Sequence, residues 1–207
     1  IDDLQDFSKS NKIKSLALCD TSNLCGALEF AEKISKSGTQ PIIGTQIKFS
    51  IENSMGKLPL FARTPQGYKN LIKLSSKSYL DSDARSDAHC KIGLLKDINN
   101  GLILLSGNHH GLFGELFKRN KLKQIEEAIK ELKIIFKDCF YLEIQRHNEV
   151  GEKNYENFII KLSEANQIPL IATQEIFYLK QEMHEAHDAL ICIGQKLFVD
   201  DPNRQKF

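Results

Sequence analysis

The sequence predicts an α/β domain built on a parallel sheet. Short apolar segments alternate along the chain with helical segments of ten or more residues, a pattern that is typical of β-α-β units. Residues 101–106, Gly-Leu-Ile-Leu-Leu-Ser, illustrate a strand buried on both faces. Residues 122–136 illustrate an amphipathic helix, with Ile125, Ile129 and Leu132 on one face. An open sheet and a closed barrel both fit this pattern.

The order of elements follows from the apolar runs and from the residues that begin or end them. Asn23 is the expected N-cap of one helix, and Thr64 caps another with Pro65 at its first position. A polar turn is expected over residues 52–57 and a polar loop over residues 81–91. The predicted strands cover residues 15–19, 41–49, 58–62, 101–106, 140–144 and 169–173. The predicted helices begin near residues 1, 23, 64, 122, 154 and 182.

Composition and charge indicate an ordinary globular domain. The chain has 207 residues, of which 41% are hydrophobic, and 28 Lys and Arg against 27 Asp and Glu give a net charge of +1. This composition excludes disordered and collagen-like classes of protein. It also argues against a surface dedicated to wrapping DNA, because such surfaces need clustered basic residues. We therefore predict a single domain over residues 1–207.

The cysteines and the apolar runs predict a cytoplasmic protein. The five cysteines are widely spaced and form no C-x-x-C pair, which excludes a zinc ribbon or a dithiol redox motif. Free thiols are typical of a reducing compartment, and Cys19 and Cys192 lie in apolar runs where we expect core positions. No apolar stretch approaches the ~20 residues that span a bilayer, and no signal peptide opens the chain. We therefore expect no membrane partner.

Polar residues end several predicted strands and mark the candidate site. The carboxyl ends of parallel strands lie at one edge, so the strand-end residues are expected to lie on the same face. Asp20 and His147 are the best-placed candidate ligands, and a cap or turn residue is the alternative interpretation of Asp20. The strand-end residues are Asp20, Ser106, Gln145 and Thr173.

The other histidines are interpreted as structural. His109 and His110 are expected to form a solvated loop pair, because adjacent residues rarely direct both rings at one ion. His184 and His187 are spaced i, i+3, which misses the zinc-protease pattern by one residue and favours a surface or capping role. The sequence contains no dinucleotide-binding, P-loop or nucleophile-elbow motif. The residues alone thus predict an α/β domain with a weak candidate site.

A series of segments, taken in order, resembles one known family. Residues 17–30 resemble "TDHGNLFGAVEF", residues 41–46 resemble "KPIIGCE", and residues 169–179 resemble "PLVATNDVHYL". Similar matches follow the same order over residues 67–74, 101–107, 141–147, 186–193 and 200–204. Each match is weak by itself, but the ordered set is specific. The chain resembles the N-terminal polymerase-and-histidinol-phosphatase (PHP) domain of bacterial DNA polymerase III alpha subunits.

The resemblance implies a parallel (β/α)7-type barrel whose strand ends hold up to three metal ions. It implies that this chain lacks the first strand and is a fragment of a longer polymerase, truncated at both ends. The family's ligand positions are depleted here. Residues of other types occupy four of those positions, namely Thr21, Gln46, Asn108 and Phe177.

Three residues remain as possible remnants of the family site. Asp20 and His147 retain the expected type, and Glu175 is a longer and doubtful substitute for an aspartate. Two or three ligands cannot hold a compact cluster of divalent ions, whose mutual repulsion needs anionic compensation. The resemblance therefore implies no catalytic residue, no bound metal and no cofactor in this chain, with Mg²⁺ serving the parent polymerase.

The function implied by the resemblance is that of a DNA-directed DNA polymerase, a nucleotidyltransferase of DNA replication. Within it, this domain is expected to be a non-catalytic scaffold or docking module. The implied partners are the remaining polymerase domains, DNA through the parent protein, and other subunits of the holoenzyme, including the proofreading exonuclease. An active metal-dependent phosphoesterase or 3′-5′ exonuclease is the alternative, and a plain binding barrel is a third hypothesis.

Overall fold

The computed structural model describes residues 1–83 and 86–201. It divides the chain into two compact units, Ile1–Thr173 and Gln174–Phe207. The 81–91 loop is therefore described except at residues 84 and 85, and the predicted match over 200–204 lies outside the described residues from 202 onward. No helix in the described part of the chain is long and apolar enough to cross a bilayer.

The first unit is built on a mixed sheet. Its strand order is β1-β2-β3-β5-β6-β7, and β4 pairs with β2. The sheet is curled like part of a barrel, which confirms the predicted α/β fold class. The strands are β1 (Ser15–Thr21), β2 (Gln40–Ile51), β3 (Ser54–Ala62), β4 (Cys90–Lys91), β5 (Leu102–Leu105), β6 (Phe140–Ile144) and β7 (Leu170–Ala172).

One strand departs from the parallel arrangement that the sequence predicts. β3 runs antiparallel to β2 and to β5, whereas the other pairs along the order are parallel. The reason is the link between β2 and β3, which contains only Glu52 and Asn53. Two residues close a hairpin but cannot form the crossover that parallel neighbours require. Glu52 adopts a left-handed φ of 49° to make this turn.

The helices mostly follow the predicted pattern. Thr64 caps α3 by accepting a hydrogen bond from the Gly67 N–H at 3.1 Å, with Pro65 in the first turn as predicted. The predicted cap at Asn23 is wrong, because its side chain holds the preceding turn by accepting the Cys25 N–H at 3.0 Å. The helices are α1 (Asp2–Ser10), α2 (Ala27–Lys36), α3 (Pro65–Leu80), α4 (Leu112–Lys118), α5 (Leu122–Phe136), α6 (Glu152–Asn166) and α7 (His184–Gln195).

The core of the first unit lies between the sheet and its helices. β2 and β3 contribute fully buried side chains, among them Phe49 and Leu60. Phe113 of α4 and Ile129 of α5 pack into the same cluster. This burial, at roughly 25 cal/mol per Å² of apolar surface removed from water, is the main term that stabilises the unit.

The cysteines are free, as the sequence predicts, but they differ in exposure. Cys192 is buried as expected, whereas Cys19 is only half-buried because β1 is the first strand in the sheet order. Cys25 is exposed and Cys90 is buried. Burial raises the pKa of the Cys90 thiol to about 11, and the negative charge of Asp81 adds to this.

Replacing Leu60 with alanine is expected to lower the free energy of unfolding by about 2–5 kcal/mol, because a fully buried leucine leaves a cavity in the core. Urea denaturation measures the change. The matched control is Leu28→Ala in α2, whose side chain is 71% exposed and whose loss is expected to change stability by less than about 0.5 kcal/mol. Equal losses in the two variants would contradict the burial of β3.

Thiol labelling is expected to separate the cysteines. Cys25 should react first with iodoacetamide at pH 8, because it is exposed. Cys90 should stay unlabelled until the chain unfolds, since its thiol is buried and its raised pKa of about 11 leaves little thiolate at that pH. Peptide mass spectrometry after timed labelling reads out the order, and early labelling of Cys90 would contradict its placement behind α3.

Candidate functional site

Polar residues collect at the carboxyl ends of the parallel strands. Asp20 lies near the end of β1, and its neighbour Thr21 pairs with Gln46 of β2. Ser106 directly follows β5, and Gln145 directly follows β6. The predicted residues do lie at one edge of the sheet, because β1, β2, β5, β6 and β7 all run in the same direction.

A network of amides and hydroxyls joins the ends of β5, β6 and β7. The Asn108 amide donates to Gln145 Oε1 at 2.6 Å, and the Gln145 amide donates to Glu143 Oε1 at 3.1 Å and to Thr173 Oγ1 at 2.9 Å. Thr173 in turn donates from its hydroxyl to Glu143. These contacts use most of the hydrogen-bonding capacity of the Gln145 amide within the protein.

Glu143 is a buried carboxylate that the sequence analysis missed. Its residue is 3% exposed, and its backbone N–H donates to the hydroxyl of Ser106 at 2.9 Å. The strand segment Phe-Tyr-Leu-Glu-Ile contains one carboxylate among apolar and aromatic residues, which is the signal that could have identified it. Charged side chains are rarely fully buried unless they are paired, so its position indicates that the network is built around it.

Asp20 and His147 lie at different places on this edge of the sheet. Asp20 is half-buried, and its backbone oxygen accepts a hydrogen bond from Thr45 Oγ1 at 2.8 Å. His147 is exposed, and its ring contacts Gln145 Oε1 at 3.1 Å through Nε2. In the strand order, β2, β3 and β5 lie between β1 and β6, so the sheet does not make these two residues neighbours.

Glu175 and Phe177 lie in the second unit. Phe177 stacks on His187 with a distance of 5.1 Å between ring centroids. Tyr178 contacts the rings of both His184 and His187, at 6.0 Å and 5.4 Å between centroids. The two histidines are half-buried and lie against these aromatic rings.

The structure overturns the prediction that His109 and His110 form a solvated pair. His109 is 8% exposed, and its ring lies 5.3 Å from that of His110. The two imidazoles and the carboxylate of Glu149 offer three ligand atoms within 4.8 Å of one another. The sharp turn of this loop therefore lets the rings of His109 and His110 both approach Glu149.

Glycine makes that turn possible. Gly107 has a left-handed φ of 79°, and Asn108 Oδ1 accepts the His110 N–H at 2.9 Å. A Cβ on Gly114 would lie 2.0 Å from the backbone oxygen of His109, so only glycine lets α4 approach the loop so closely. The two glycines therefore allow the loop to turn and α4 to pack closely against the backbone of His109.

Glu152 shapes the other side of the same site. Its carboxylate is buried and accepts the N–H groups of His147 at 2.8 Å, Asn148 at 2.9 Å and Glu149 at 3.4 Å. A carboxylate in the first turn of a helix is also favoured by the helix dipole. Glu152 thus holds the loop that carries Glu149 against the start of α6.

Neighbouring charges and burial shift the pKa values of His109 and Glu149. Burial lowers the pKa of His109, and the nearby charges of Lys118 and His110 lower it further. Burial alone would raise the pKa of Glu149, but the hydrogen bond from His110 and the charges of the neighbouring histidines outweigh it and lower the value. His110 contacts Glu149 through Nε2, and Lys118 Nζ lies 3.2 Å from His110 Nδ1.

Comparison with known families identifies this arrangement of strands. The model of the PHP domain matches residues 1–147. The chain belongs to the PHP domain family. This confirms the resemblance found in the sequence.

Curated relatives of this PHP domain are subunits of a polymerase. The DNA polymerase III subunit alpha of Rickettsia bellii is 36% identical over 97% of this chain, that of Vibrio cholerae is 33% identical over 93%, and that of Caulobacter vibrioides is 32% identical over 99%. The chain spans only 17%, 17% and 19% of their lengths.

A solved structure shares the fold of the PHP domain. It is described as a metal-dependent phosphoesterase from Bifidobacterium adolescentis, and it aligns with a TM-score of 0.54 over 83% of this chain and 80% of its own. At 10% identity, this similarity concerns the fold alone.

Two of the positions where the resemblance implies metal ligands, Asn108 and Gln46, carry neutral amides. Asn108 uses its Nδ2 for Gln145 and its Oδ1 for the His110 N–H, so both ends of its amide are engaged within the protein. Gln46 pairs with Thr21 in the sheet and offers a neutral amide in place of the carboxylate that the resemblance implies. Several divalent ions need anionic ligands that offset their repulsion, and these positions supply amides.

Replacing Glu152 with glutamine is expected to lower the free energy of unfolding by about 1.5–3 kcal/mol, because a charged acceptor of three N–H groups becomes an amide with one acceptor oxygen. Urea denaturation measures the effect. Glu126→Gln on the exposed side of α5 is the matched control and should leave stability unchanged. An unchanged midpoint in the Glu152 variant would contradict its role in holding the loop.

Proposed function

We propose that this chain is the N-terminal PHP domain of a bacterial replicative DNA polymerase III alpha subunit, where it acts as a non-catalytic scaffold. The observation that carries the first part is the identity of 36% to such a subunit over 97% of the chain, within 17% of the subunit's length. In this proposal both compact units belong to one PHP domain.

The non-catalytic role is supported by the amide network at the strand ends. A hydrolytic site of this kind would need metal ions to activate water and to stabilise the phosphoryl group in the transition state. At the family positions, Asn108 is engaged by hydrogen bonds and Gln46 is neutral. Asn108 is thus part of the hydrogen-bond network that ties the ends of β5, β6 and β7 together.

The proposed scaffold has partners in the same chain and in the replication machinery. The remaining domains of the polymerase are the first, and Mg²⁺ serves nucleotidyl transfer there. The proofreading exonuclease and other holoenzyme subunits are the second, and DNA is reached through the parent protein. The proposed location is the cytoplasm.

An active metal-dependent phosphoesterase or 3′-5′ exonuclease is the second candidate function. Two observations favour it: the structural neighbour is described as a metal-dependent phosphoesterase, and His109, His110 and Glu149 form a group with metal-ligand chemistry. In this alternative Asp20 and His147 would be ligands, so their removal would abolish hydrolysis.

The test compares variants of the parent polymerase purified without its exonuclease subunit. The double variant Asp20→Asn, His147→Gln is expected to extend primers at the normal rate and to show the same background of single-stranded DNA hydrolysis as the unchanged protein, with Mg²⁺, Mn²⁺ or Zn²⁺ present. Leu60→Ala serves as the control for scaffolding, since loss of the buried side chain should lower primer extension on warming.

Two outcomes would overturn the proposal. One is metal-dependent hydrolysis of single-stranded DNA that the double variant abolishes, which would establish the phosphoesterase alternative. The other is a reading frame that ends near residue 207, because a chain without polymerase domains has nothing to support.

A further inference from the structure

We propose that His109, His110 and Glu149 bind a single divalent transition-metal ion, with Zn²⁺ as the probe, and that this ion joins the loop after β5 to the loop after β6. The site is separate from the family's ligand positions, and it is structural in purpose. It does not depend on whether the parent protein is a polymerase.

The geometry of the three donors is close to that of a zinc site. Their ligand atoms lie within 4.8 Å of one another, and His109 Nδ1 lies 3.9 Å from Glu149 Oε2. Ligands about 2.0–2.2 Å from a tetrahedral Zn²⁺ are about 3.3–3.6 Å apart, so small side-chain movements would complete the arrangement. Water would occupy the fourth position.

His109 is the anchor of the site. Its Nδ1 is buried and makes no hydrogen bond with the described residues. A buried polar atom without a hydrogen bond costs free energy, and a metal ion at this point would satisfy it. The packing of the ring against Tyr155, at 5.7 Å between centroids, and the glycine turn keep that nitrogen in place, so little order is lost on binding.

The chemistry of the donors selects the class of metal. Two imidazoles and one carboxylate suit zinc and similar first-row ions, whereas Mg²⁺ and Ca²⁺ prefer sets of oxygen ligands. The site is thus expected to bind Zn²⁺ in the presence of millimolar Mg²⁺. Glu149 also supplies negative charge, which the neutral amides at the family positions lack.

Lys118 is the group that opposes the metal. Its Nζ lies 3.2 Å from His110 Nδ1 and 3.0 Å from Glu115 Oε1. When His110 Nε2 binds a metal, Nδ1 carries the proton, so Lys118 must turn toward Glu115. Its positive charge also repels the ion at close range. Removing the charge of Lys118 should therefore tighten metal binding. If the metal bound to a histidine elsewhere on the surface, removing this charge would have no such effect.

The experiment titrates Zn²⁺ into the untagged, chelator-treated 207-residue chain by calorimetry, in a buffer with 5 mM Mg²⁺. One ion per chain is expected. His110→Gln and Glu149→Gln should each weaken binding at least about 10–100-fold, as loss of a ligand exceeds the loss of a supporting residue. Lys118→Gln should bind more tightly. His184→Gln and Asp20→Asn are matched controls and should bind like the unchanged chain. Far-UV circular dichroism checks that each variant is folded.

Three results would overturn the proposed metal site. Binding that survives in both His110→Gln and Glu149→Gln would overturn the site, and so would the absence of binding at 100 µM Zn²⁺. Loss of binding in Asp20→Asn would assign the metal to the family positions and overturn the proposal as well. Failure of the scaffold proposal appears separately, as hydrolysis of DNA, and need not alter any of these affinities.

Discussion

The hydrogen bonds around Glu143 are the interaction on which this edge of the sheet depends. Gln145 and Thr173 both contact its carboxylate, and Asn108 reaches it through Gln145. These residues come from β6, from the end of β7 and from the loop after β5. A carboxylate that is 3% exposed needs such partners, so the three strand ends are positioned by one buried charge.

In the proposed scaffold, this network takes the place of the metal ligands that the resemblance implies. Asn108 and Gln145 hold the strand ends by hydrogen bonds, which is the work that bound metal ions perform in a clustered site. Amides achieve this without the strongly anionic lining that would be unstable in the absence of cations. The proposed scaffold role thus rests on amides at positions where the resemblance implies metal ligands.

The order of helices and strands follows from the sequence because it depends on local patterns. The Thr64 N-cap and Pro65 at the first helical position predict the start of α3, and the spacing of apolar residues predicts α5. The strand over residues 58–62 was predicted, but β3 begins earlier, at Ser54, because the turn uses only Glu52 and Asn53. This short turn also makes β3 antiparallel within a sheet that was expected to be parallel.

The site was harder to predict, because it depends on contacts between distant segments. His109 and His110 face Glu149 only through the sharp turn at Gly107 and the loop that Glu152 holds in place. The expectation that adjacent histidines do not share one ion takes account of neither the turn nor the position of that loop. Asp20 and His147 were placed correctly at strand ends, but pairing order decides that they are not neighbours within the sheet.

The most direct measurement of the account is a crystal structure of the chain grown with Zn²⁺, with anomalous diffraction recorded above and below the zinc absorption edge. The account predicts one anomalous peak, between His109, His110 and Glu149, with hydrogen bonds intact from Asn108 to Gln145. Two or more peaks at the strand ends near Asp20, with the Asn108–Gln145 hydrogen bond broken, would contradict this. Such peaks would show a cluster of metal ions where the proposal expects none.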